Sequence, residues 1–301
     1  MKLRIISLFV FLCLGMIWTL KAQELKKISY GSKDGMDLVM GVKKPKNPNG
    51  AGVIMVVSGG FKSSWEQALN MSHLSSPLTA RGYTLFFVIH SSQPRYAALD
   101  AINDVRRAVR FIRYHAEKFE IDGNRLGITG GSSGGETSLC IATQSDDGNP
   151  RSEDPVERES SRVQAVACFF PLTDFINWDF KHDEYGLGLK QRANQSPFGH
   201  VRLNPMTQTY ELLSNTSEID SVAHQLSPYY YVDVQTPPVF IAHGDADKAI
   251  ALDQSIRFID KLKEYGIPCD LIIKQGGAHG KWDDMTIYYE KFADWYDNYL
   301  K

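Results

Sequence analysis

The feature that most constrains the fold of this chain is residues 130–135, in which two serines stand between two pairs of glycines. This run follows the apolar segment 125–129 and precedes a segment with helical character, residues 136–143. Glycines on both sides of a serine are typical of a nucleophile elbow, because only glycine-sized neighbours let a strand and a helix pass so closely. The run therefore predicts a strand, a sharp turn and a helix that together present a serine hydroxyl.

The pattern G-x-S-x-G fits this run in two registers, one centred on Ser132 and the other on Ser133. We expect the helix to begin at Gly134, which would hold the Ser133 hydroxyl over the positive end of the helix dipole. This argument makes Ser133 the predicted nucleophile. Because non-catalytic glycine-rich turns also match so short a pattern, the interpretation depends on catalytic partners elsewhere in the chain.

Two later apolar runs end in loops that carry the partners a serine nucleophile needs. The run 237–242 leads to Asp245 and Asp247, and the run 271–273 leads to the glycine-flanked His279. Open α/β sheets build their sites at the carboxyl ends of strands, where all these side chains are expected. An imidazole can take the serine proton and pass it to the leaving alcohol, while a carboxylate orients the ring. The chemistry alone leaves both aspartates open as that carboxylate.

With the order Ser, Asp, His, the chain resembles an α/β-hydrolase of the carboxylesterase type. It is similar to the hormone-sensitive-lipase-like esterases and to bacterial feruloyl or acetyl-xylan esterases. The resemblance is carried by residues 78–135 and 237–247, and it favours Asp247 over Asp245 as the orienting carboxylate. It implies one catalytic domain, residues 23–301. The catalytic domains of prolyl oligopeptidases share much of the same pattern.

The resemblance also implies two main-chain N–H donors that bind the oxyanion of a tetrahedral intermediate. One is assigned to Gly134, which follows the predicted nucleophile. The other is expected in residues 58–61, Ser-Gly-Gly-Phe, where related esterases carry a His-Gly-Gly-Gly type of motif. Because main-chain donors do not depend on the missing histidine side chain, Gly60 and Phe61 are both candidates, and the sequence does not choose between them.

Apolar runs alternate with helical patterns along the chain, which predicts a mostly parallel central sheet with helices on both faces. Residues 28–45 are expected to form an antiparallel hairpin that opens the sheet. A helix is expected before the elbow, because apolar residues recur at helical spacing over 102–119, with arginines on a solvated face. Residues 145–161 are polar and acidic and are expected to form an exposed loop.

Residues 175–231 interrupt this alternation, are long for a plain connection and mix aromatic with polar side chains. We interpret this segment as a cap over the site. The alternative is an ordinary helical excursion whose aromatic side chains pack on the body of the domain. The predicted architecture is therefore an α/β-hydrolase fold with a cap insertion.

The amino end carries Lys2 and Arg4, followed by the apolar run 5–18. This arrangement is typical of a secretory signal peptide, so residues 1–22 are expected to be removed and the protein to be secreted or periplasmic. The alternative is an uncleaved membrane anchor, although the run is short for a bilayer span of ~20 residues. Removal leaves 30 basic and 35 acidic residues, a balance that gives no reason to expect nucleic-acid binding.

Other side chains that could carry chemistry receive structural interpretations. Glu136 falls in the first turn of the predicted helix, where a carboxylate offsets the helix dipole, and His243 is expected to hydrogen-bond loop backbone. Cys140, Cys168 and Cys269 are expected to be buried and unpaired rather than part of a disulfide framework. The remaining histidines show no ligand-like spacing, so neither a metal nor an organic cofactor is expected.

These features lead to one principal hypothesis and two alternatives. The principal hypothesis is an exported serine hydrolase that cleaves carboxylic esters through an acyl-enzyme, with Ser133, Asp247 and His279 as its catalytic residues. The resemblance implies small-molecule esters, or acetyl and feruloyl esters of polysaccharides, as substrates. The alternatives are a serine peptidase of the prolyl oligopeptidase class and a binding protein that keeps this fold without catalysis. The sequence leaves the oligomeric state open.

Overall fold

The computed structural model describes residues 25–92, 95–178, 201–204, 206–207, 209–212, 216–280 and 282–300. The predicted signal peptide, residues 1–22, lies outside these residues. The structure describes only parts of the predicted cap segment, 175–231, so its role as a cap stays a prediction. Within the described ranges, no helix is both long and apolar enough to cross a membrane.

The described residues form ten strands and eight α-helices, with short 3₁₀ helices at Pro155–Arg158 and Pro228–Tyr231. The strands are β1 (Lys26–Lys33), β2 (Met36–Lys43), β3 (Gly52–Val57), β4 (Thr84–Ile89), β5 (Leu126–Thr129), β6 (Ala165–Phe169), β7 (Val201–Leu203), β8 (Tyr210–Leu212), β9 (Val239–Gly244) and β10 (Cys269–Lys274). The helices are α1 (Trp65–Leu74), α2 (Ser76–Ala80), α3 (Ala98–Tyr114), α4 (Ala116–Phe119), α5 (Ser133–Thr143), α6 (Thr216–Gln225), α7 (Asp253–Glu264) and α8 (Met285–Tyr299).

Eight of these strands form one sheet, in the order β1, β2, β4, β3, β5, β6, β9, β10. β1 and β2 form the antiparallel hairpin expected over residues 28–45, and β2 also pairs antiparallel with β4. From β4 to β10 all neighbouring strands are parallel, which confirms the predicted mostly parallel sheet. The carboxyl ends of β3, β5, β6, β9 and β10 therefore lie along one edge, where α/β proteins build their sites.

β3 shows why the sheet needs helices on both faces. All six of its residues are buried, and alternate side chains enter two separate apolar cores because successive residues of a strand point to opposite faces. Ile54 and Val56 pack in the core shared with α3, α5 and α7. Val53 and Met55 pack in the core shared with α1, α2 and α8. Helices therefore cover both faces, as the alternating sequence pattern predicts.

The arginines of α3 do not form the solvated face that the sequence pattern predicted. Arg107 and Arg110 each bond to Glu157 with a nitrogen–oxygen distance of 2.6 Å. Arg113 donates to the main-chain oxygens of Ser160 and Arg162. Residues 145–161, expected to be an exposed loop, thus fold back over α3, because half-buried guanidinium groups need acceptors where water is excluded.

Candidate active site

The turn between β5 and α5 has the geometry of a nucleophile elbow. Ser132 lies at its apex with φ of 57° and ψ of −123°, in a region of positive φ that non-glycine residues rarely adopt. A Cβ at Gly130 would lie 2.5 Å from the backbone of Gly134, and a Cβ at Gly134 would lie 2.9 Å from the main-chain oxygen of Val56. Glycine is therefore required at both positions, as the strand-to-helix junction predicted.

The hydroxyl that contacts the imidazole belongs to Ser132 and not to Ser133. His279 Nε2 lies 2.9 Å from Ser132 Oγ. The choice of Ser133 from the sequence is therefore corrected, because α5 begins at Ser133, one residue earlier than expected, and the apex of the turn moves back with it. The signal that selects this register is the pair Gly130 and Gly134, whose backbones touch across the turn.

Ser133 instead joins the elbow to the loop that follows β3. Its hydroxyl accepts a hydrogen bond from the Phe61 N–H at 3.0 Å and lies 2.9 Å from the Ser58 hydroxyl. The Ser133 side chain is buried among these partners. Ser133 therefore fixes the loop that follows β3 relative to the turn that carries Ser132, which is a positioning role.

Asp247 holds His279 from the side of the ring that faces away from Ser132. Asp247 Oδ2 lies 2.7 Å from His279 Nδ1, and Oδ1 accepts from the N–H groups of Ala249 and Ile250 at 2.9 and 2.8 Å. One carboxylate oxygen is thus anchored on the backbone and the other faces the imidazole. These partners require the tautomer with its proton on Nδ1, which leaves Nε2 free to accept the serine proton.

Asp245, the competing aspartate, does not contact the imidazole. Its side chain is exposed, and one of its carboxylate oxygens accepts from the Gly276 N–H at 2.7 Å. Of the two aspartates that the chemistry of the sequence left open, the structure therefore brings Asp247 to His279. Asp245 serves the backbone of the loop that follows β10.

Asp247 stays ionised although it is buried. Burial alone would raise its pKa, but hydrogen bonds from His243, His279 and the Ile250 N–H outweigh that effect and hold the pKa well below its usual range. His243 also lies 3.0 Å from the main-chain oxygen of Ile250 and 2.7 Å from the Ser255 hydroxyl. Its predicted role, a hydrogen bond to loop backbone, is confirmed.

A close backbone contact joins the two loops that carry the aspartate and the histidine. A Cβ at Gly244, the last residue of β9, would lie 2.0 Å from the main-chain oxygen of Gly277. The Ala246 N–H donates to that same oxygen at 3.0 Å. The Phe170 ring also packs against His279, with 4.8 Å between the ring centroids. Backbone packing and this aromatic contact therefore fix the imidazole where the sequence pattern placed it, beyond the end of β10.

The main-chain donors near the apex serine include one predicted candidate, Gly60, and one residue that was not predicted, Ser133. The Gly134 N–H donates to a main-chain oxygen inside the turn at 2.8 Å, and the Phe61 N–H donates to the Ser133 hydroxyl. Gly134 and Phe61, two of the three predicted candidates, are therefore engaged within the protein. The N–H groups of Ser133 and Gly60 have no acceptor among the residues that the structure describes. These two residues line the cavity at the apex serine, so their N–H groups are available to an oxyanion.

A cavity of about 120 Å³ opens at Ser132 and His279. The other residues that line it are Gly60, Phe61, Ser133, Glu136, Leu172, Trp178, Ala249 and Ile250. Trp178 belongs to the described part of the predicted cap segment. Most of these side chains are apolar, and Glu136 contributes a buried carboxyl, which the sequence pattern assigns to the helix dipole. A concave, mostly apolar pocket beside a few polar groups is the usual form of a small-molecule site.

Among the residues that the structure describes, the thiols and the remaining titratable groups form no second reactive site. Cys140, Cys168 and Cys269 are unpaired, as predicted, although Cys269 is only half-buried. Burial raises the pKa of the Cys140 and Cys168 thiols. In the described ranges of the chain, no three His, Cys, Asp or Glu side chains gather in a way that could hold a metal ion.

Sequence comparison connects this geometry to known esterases. The BD-FAE family model matches residues 36–262. An acetylxylan esterase from Xylanibacter ruminicola is 30% identical over 276 residues, which make up 91% of this chain and 50% of that protein. A probable carboxylic ester hydrolase, LipM, from Mycobacterium tuberculosis is 27% identical over 214 residues, 71% of this chain and 45% of that protein. The chain thus spans about half the length of the curated relatives it matches.

Solved structures support the same fold. The acetyl ester-xyloside bifunctional hydrolase from Caldicellulosiruptor lactoaceticus aligns with a TM-score of 0.71 and 22% identity, covering 91% of this chain and 96% of that chain. Esterase Est2 from Thermogutta terrifontis aligns with a TM-score of 0.68 and 20% identity, covering 91% of both chains. These findings confirm the resemblance drawn from the sequence: the chain belongs to the BD-FAE family and has the α/β-hydrolase fold of carboxylesterases.

Proposed function

We propose that this protein is an exported serine hydrolase that cleaves carboxylic esters through an acyl-enzyme on Ser132. The observation that carries the proposal is the continuous line of hydrogen bonds from Asp247 through His279 to Ser132, beside a small cavity. A serine, a histidine and a carboxylate in this order of contact are the groups that acyl transfer needs. The esterase relatives support a carboxylic ester as the substrate.

The reaction begins when Ser132 Oγ attacks the carbonyl carbon of the ester. As the new C–O bond forms, the hydroxyl proton passes to His279 Nε2, and the ionised Asp247 stabilises the resulting imidazolium. The tetrahedral intermediate collapses when the bond to the alkoxy oxygen breaks and His279 gives the proton to that oxygen, which releases the alcohol. Water then attacks the acyl carbon and gives a proton to His279 Nε2. The bond between the acyl carbon and Ser132 Oγ breaks, His279 returns the proton to Oγ, and the carboxylic acid is released.

The negative oxygen of each tetrahedral intermediate needs fixed donors. The N–H groups of Ser133 and Gly60 supply them in this proposal, and loss of one such donor typically costs about 3 kcal/mol of transition-state stabilisation. Ser133 is the first residue of α5, so the positive end of the helix dipole favours the developing charge. The Ser133 hydroxyl holds the neighbouring Phe61 N–H, and thereby keeps Gly60 in place.

The substrates we propose are esters with short acyl groups, free or attached to a polysaccharide. The small cavity at Ser132, about 120 Å³ in volume and lined mostly by apolar residues, supports a short acyl group such as acetyl. An acetylxylan esterase among the relatives supports polysaccharide-bound acetyl groups. The amino-terminal pattern of residues 1–22 supports export to a compartment where such polymers occur.

Paired serine variants test the proposed mechanism. We expect the wild-type protein to release p-nitrophenol rapidly from p-nitrophenyl acetate, and Ser132→Ala to lower kcat/KM by at least about 10⁴-fold. Ser133→Ala removes only the contacts to Ser58 and Phe61, so it should lower kcat/KM by about 10²-fold at most. The opposite order of effects would contradict the assignment of Ser132.

A substrate panel tests the ester class and the two alternative functions. Acetylated xylan, feruloylated arabinoxylan and simple esters of increasing acyl length are compared by kcat/KM, with acetyl esters expected to lead. Faster cleavage of a proline-containing peptide than of any ester would favour the peptidase. Binding of an ester without hydrolysis would favour the non-catalytic protein. Export is tested by sequencing the amino end of the protein recovered outside the cytoplasm, which should begin at Gln23.

A further inference from the structure

Glu136 is a buried carboxyl whose Oε1 has no hydrogen-bond partner in the part of the chain that the structure describes. It lies in the first turn of α5, where its N–H donates to the Ser132 main-chain oxygen at 2.9 Å, and the residue is only 1% exposed. The Oε1 atom is buried, and no described group bonds to it. Glu136 does lie in the first turn of the helix, as expected, but its burial, which disfavours the ionised form that would offset the helix dipole, was not predicted.

Burial also decides the protonation state of this group. Removal from water penalises the charged form and raises the pKa of Glu136 well above its usual range. Burial therefore favours the neutral carboxyl, which offers one O–H donor together with accepting oxygens. An unpaired buried group of this kind lowers stability, and a native protein that keeps one generally uses it.

The cavity supplies the place where a partner can reach Glu136. Glu136 lines the same cavity as Ser132. The apolar side chains of Leu172, Trp178 and Ile250 also line it. An ester that enters this cavity to react with Ser132 can therefore place some of its atoms next to Glu136. Apolar atoms would leave the carboxyl unsatisfied, and an anion would be disfavoured among the apolar walls.

We propose that the Glu136 carboxyl binds an aliphatic hydroxyl group of the substrate while the ester lies at Ser132. A hydroxyl matches the carboxyl because each group offers one O–H donor and accepting lone pairs. Glu136 is thus a specificity-determining residue that selects esters with a free hydroxyl near the scissile bond over deoxy esters of the same size. This inference rests on the proposed function, since the ester must first react at Ser132.

Two matched pairs of esters distinguish the source of the hydroxyl. The comparison of p-nitrophenyl 3-hydroxybutyrate with p-nitrophenyl butyrate tests a hydroxyl on the acyl side. The comparison of 2-hydroxyethyl acetate with propyl acetate tests a hydroxyl on the alcohol side. For each ester, kcat/KM is divided by the rate constant for hydrolysis by hydroxide, which removes the effect of the hydroxyl on intrinsic reactivity.

In one of the two pairs, we expect the wild-type protein to prefer the hydroxylated ester by about tenfold after this correction. Glu136→Met keeps a side chain of similar length without polar oxygens, so it should abolish the preference. Glu136→Gln keeps a donor and an acceptor and should retain most of it. A purely structural role for Glu136 would change the rates for both esters of a pair equally and leave their ratio unchanged.

Two results would overturn the inference. One is a wild-type preference below about twofold in both pairs, which needs no variant and therefore does not depend on whether a variant folds. The other is a preference that Glu136→Met leaves unchanged. Failure of the proposed function gives a different result, because then no ester of either pair is hydrolysed, or hydrolysis persists in Ser132→Ala.

Discussion

Replacement of Asp247 by asparagine tests how the imidazole is held. One carboxylate oxygen of Asp247 accepts from the Ala249 and Ile250 N–H groups at 2.9 and 2.8 Å, and the other lies 2.7 Å from His279 Nδ1. Asparagine has one oxygen and one NH₂ group, so it cannot accept from both sets of donors. We expect the amide oxygen to keep the two main-chain donors and the NH₂ group to face the imidazole.

The loss of activity in Asp247→Asn depends on this orientation of the amide. An NH₂ group at His279 Nδ1 forces the ring proton onto Nε2, which then cannot accept the proton of Ser132. The productive tautomer requires the amide to flip, which leaves the Ala249 and Ile250 N–H groups unpaired at about 2–3 kcal/mol each. A total of about 5 kcal/mol corresponds to a loss of about 10⁴-fold in kcat/KM. Asparagine at the buried aspartate of Ser-His-Asp hydrolases causes a loss of about this size.

The assay is the initial rate of p-nitrophenyl acetate hydrolysis at neutral pH, with circular dichroism to verify that each variant folds. Asp245→Asn is the matched control, because that exposed carboxylate accepts from the Gly276 N–H and does not contact His279. We expect the control to stay within about twofold of the wild-type kcat/KM. A folded Asp247→Asn protein that keeps more than about a tenth of the wild-type value would refute the reasoning, as would equal losses in both variants.

Three further changes test the packing and the charges around the site. A Cβ at Gly130 would lie 2.5 Å from the backbone of α5, whereas one at Gly131 would meet an aromatic ring at 3.3 Å. Gly130→Ala should therefore lower the free energy of unfolding by about 3 kcal/mol and Gly131→Ala by about 1 kcal/mol or less, as measured with urea; equal losses would contradict this argument. Asp174 has a side chain that is 1% exposed and is paired with an arginine of α7. Asp174→Ala should therefore lower the free energy of unfolding by about 3–5 kcal/mol, and Glu264→Ala, at an exposed side chain, by less than about 1 kcal/mol. Similar urea midpoints for the two variants would contradict this expectation. Burial raises the pKa of Glu136 in the folded protein above its unfolded value of about 4.3. As the pH rises between these two values, the unfolded chain loses the Glu136 proton while the folded protein keeps it, so the free energy of unfolding falls. The stability gained by Glu136→Met should therefore grow as the pH rises from about 4.3 toward neutrality, and a gain independent of pH would show that the carboxyl is not shifted.

Much of the fold could be predicted from the sequence because local patterns and the final packing agree. The alternation of apolar runs with helical patterns specifies a parallel sheet covered on both faces, and the strands formed where such runs occur. Loops that carry Asp247 and His279 follow two of those strands, so the topology of the sheet brings them together without further information. The resemblance to esterases favoured Asp247 over Asp245, and its contact with the imidazole agrees with that choice.

The nucleophile could not be placed as securely, because two overlapping registers of one motif differ by a single residue. The dipole argument favoured Ser133, but it assumed that the helix begins at Gly134. The exact first residue of a helix depends on backbone contacts with the rest of the structure, which a short sequence motif does not reveal. Here the contact between Gly130 and Gly134 fixes the turn, and Ser132 takes the positive φ that results.

Two other differences arise from tertiary contacts that no local pattern records. The arginines of α3 alternate with apolar residues as on a solvated helix face, yet residues 145–161 fold over them and supply acceptors such as Glu157. Glu136 has the sequence position of a helix-dipole carboxylate, and only the packing of the cavity walls reveals that it is buried. The charge pattern did not predict how exposed these side chains are, because their exposure depends on segments that are distant in the chain.

The most direct test of the account is covalent labelling of the nucleophile. An alkyl fluorophosphonate reacts with a serine whose proton is taken by an adjacent imidazole, and fragmentation of the peptide that contains residues 130–135 locates the adduct by mass. We expect stoichiometric labelling of Ser132, which should be lost in Ser132→Ala and retained in Ser133→Ala. An adduct on Ser133, or no adduct on the folded wild-type protein, would contradict the central claim.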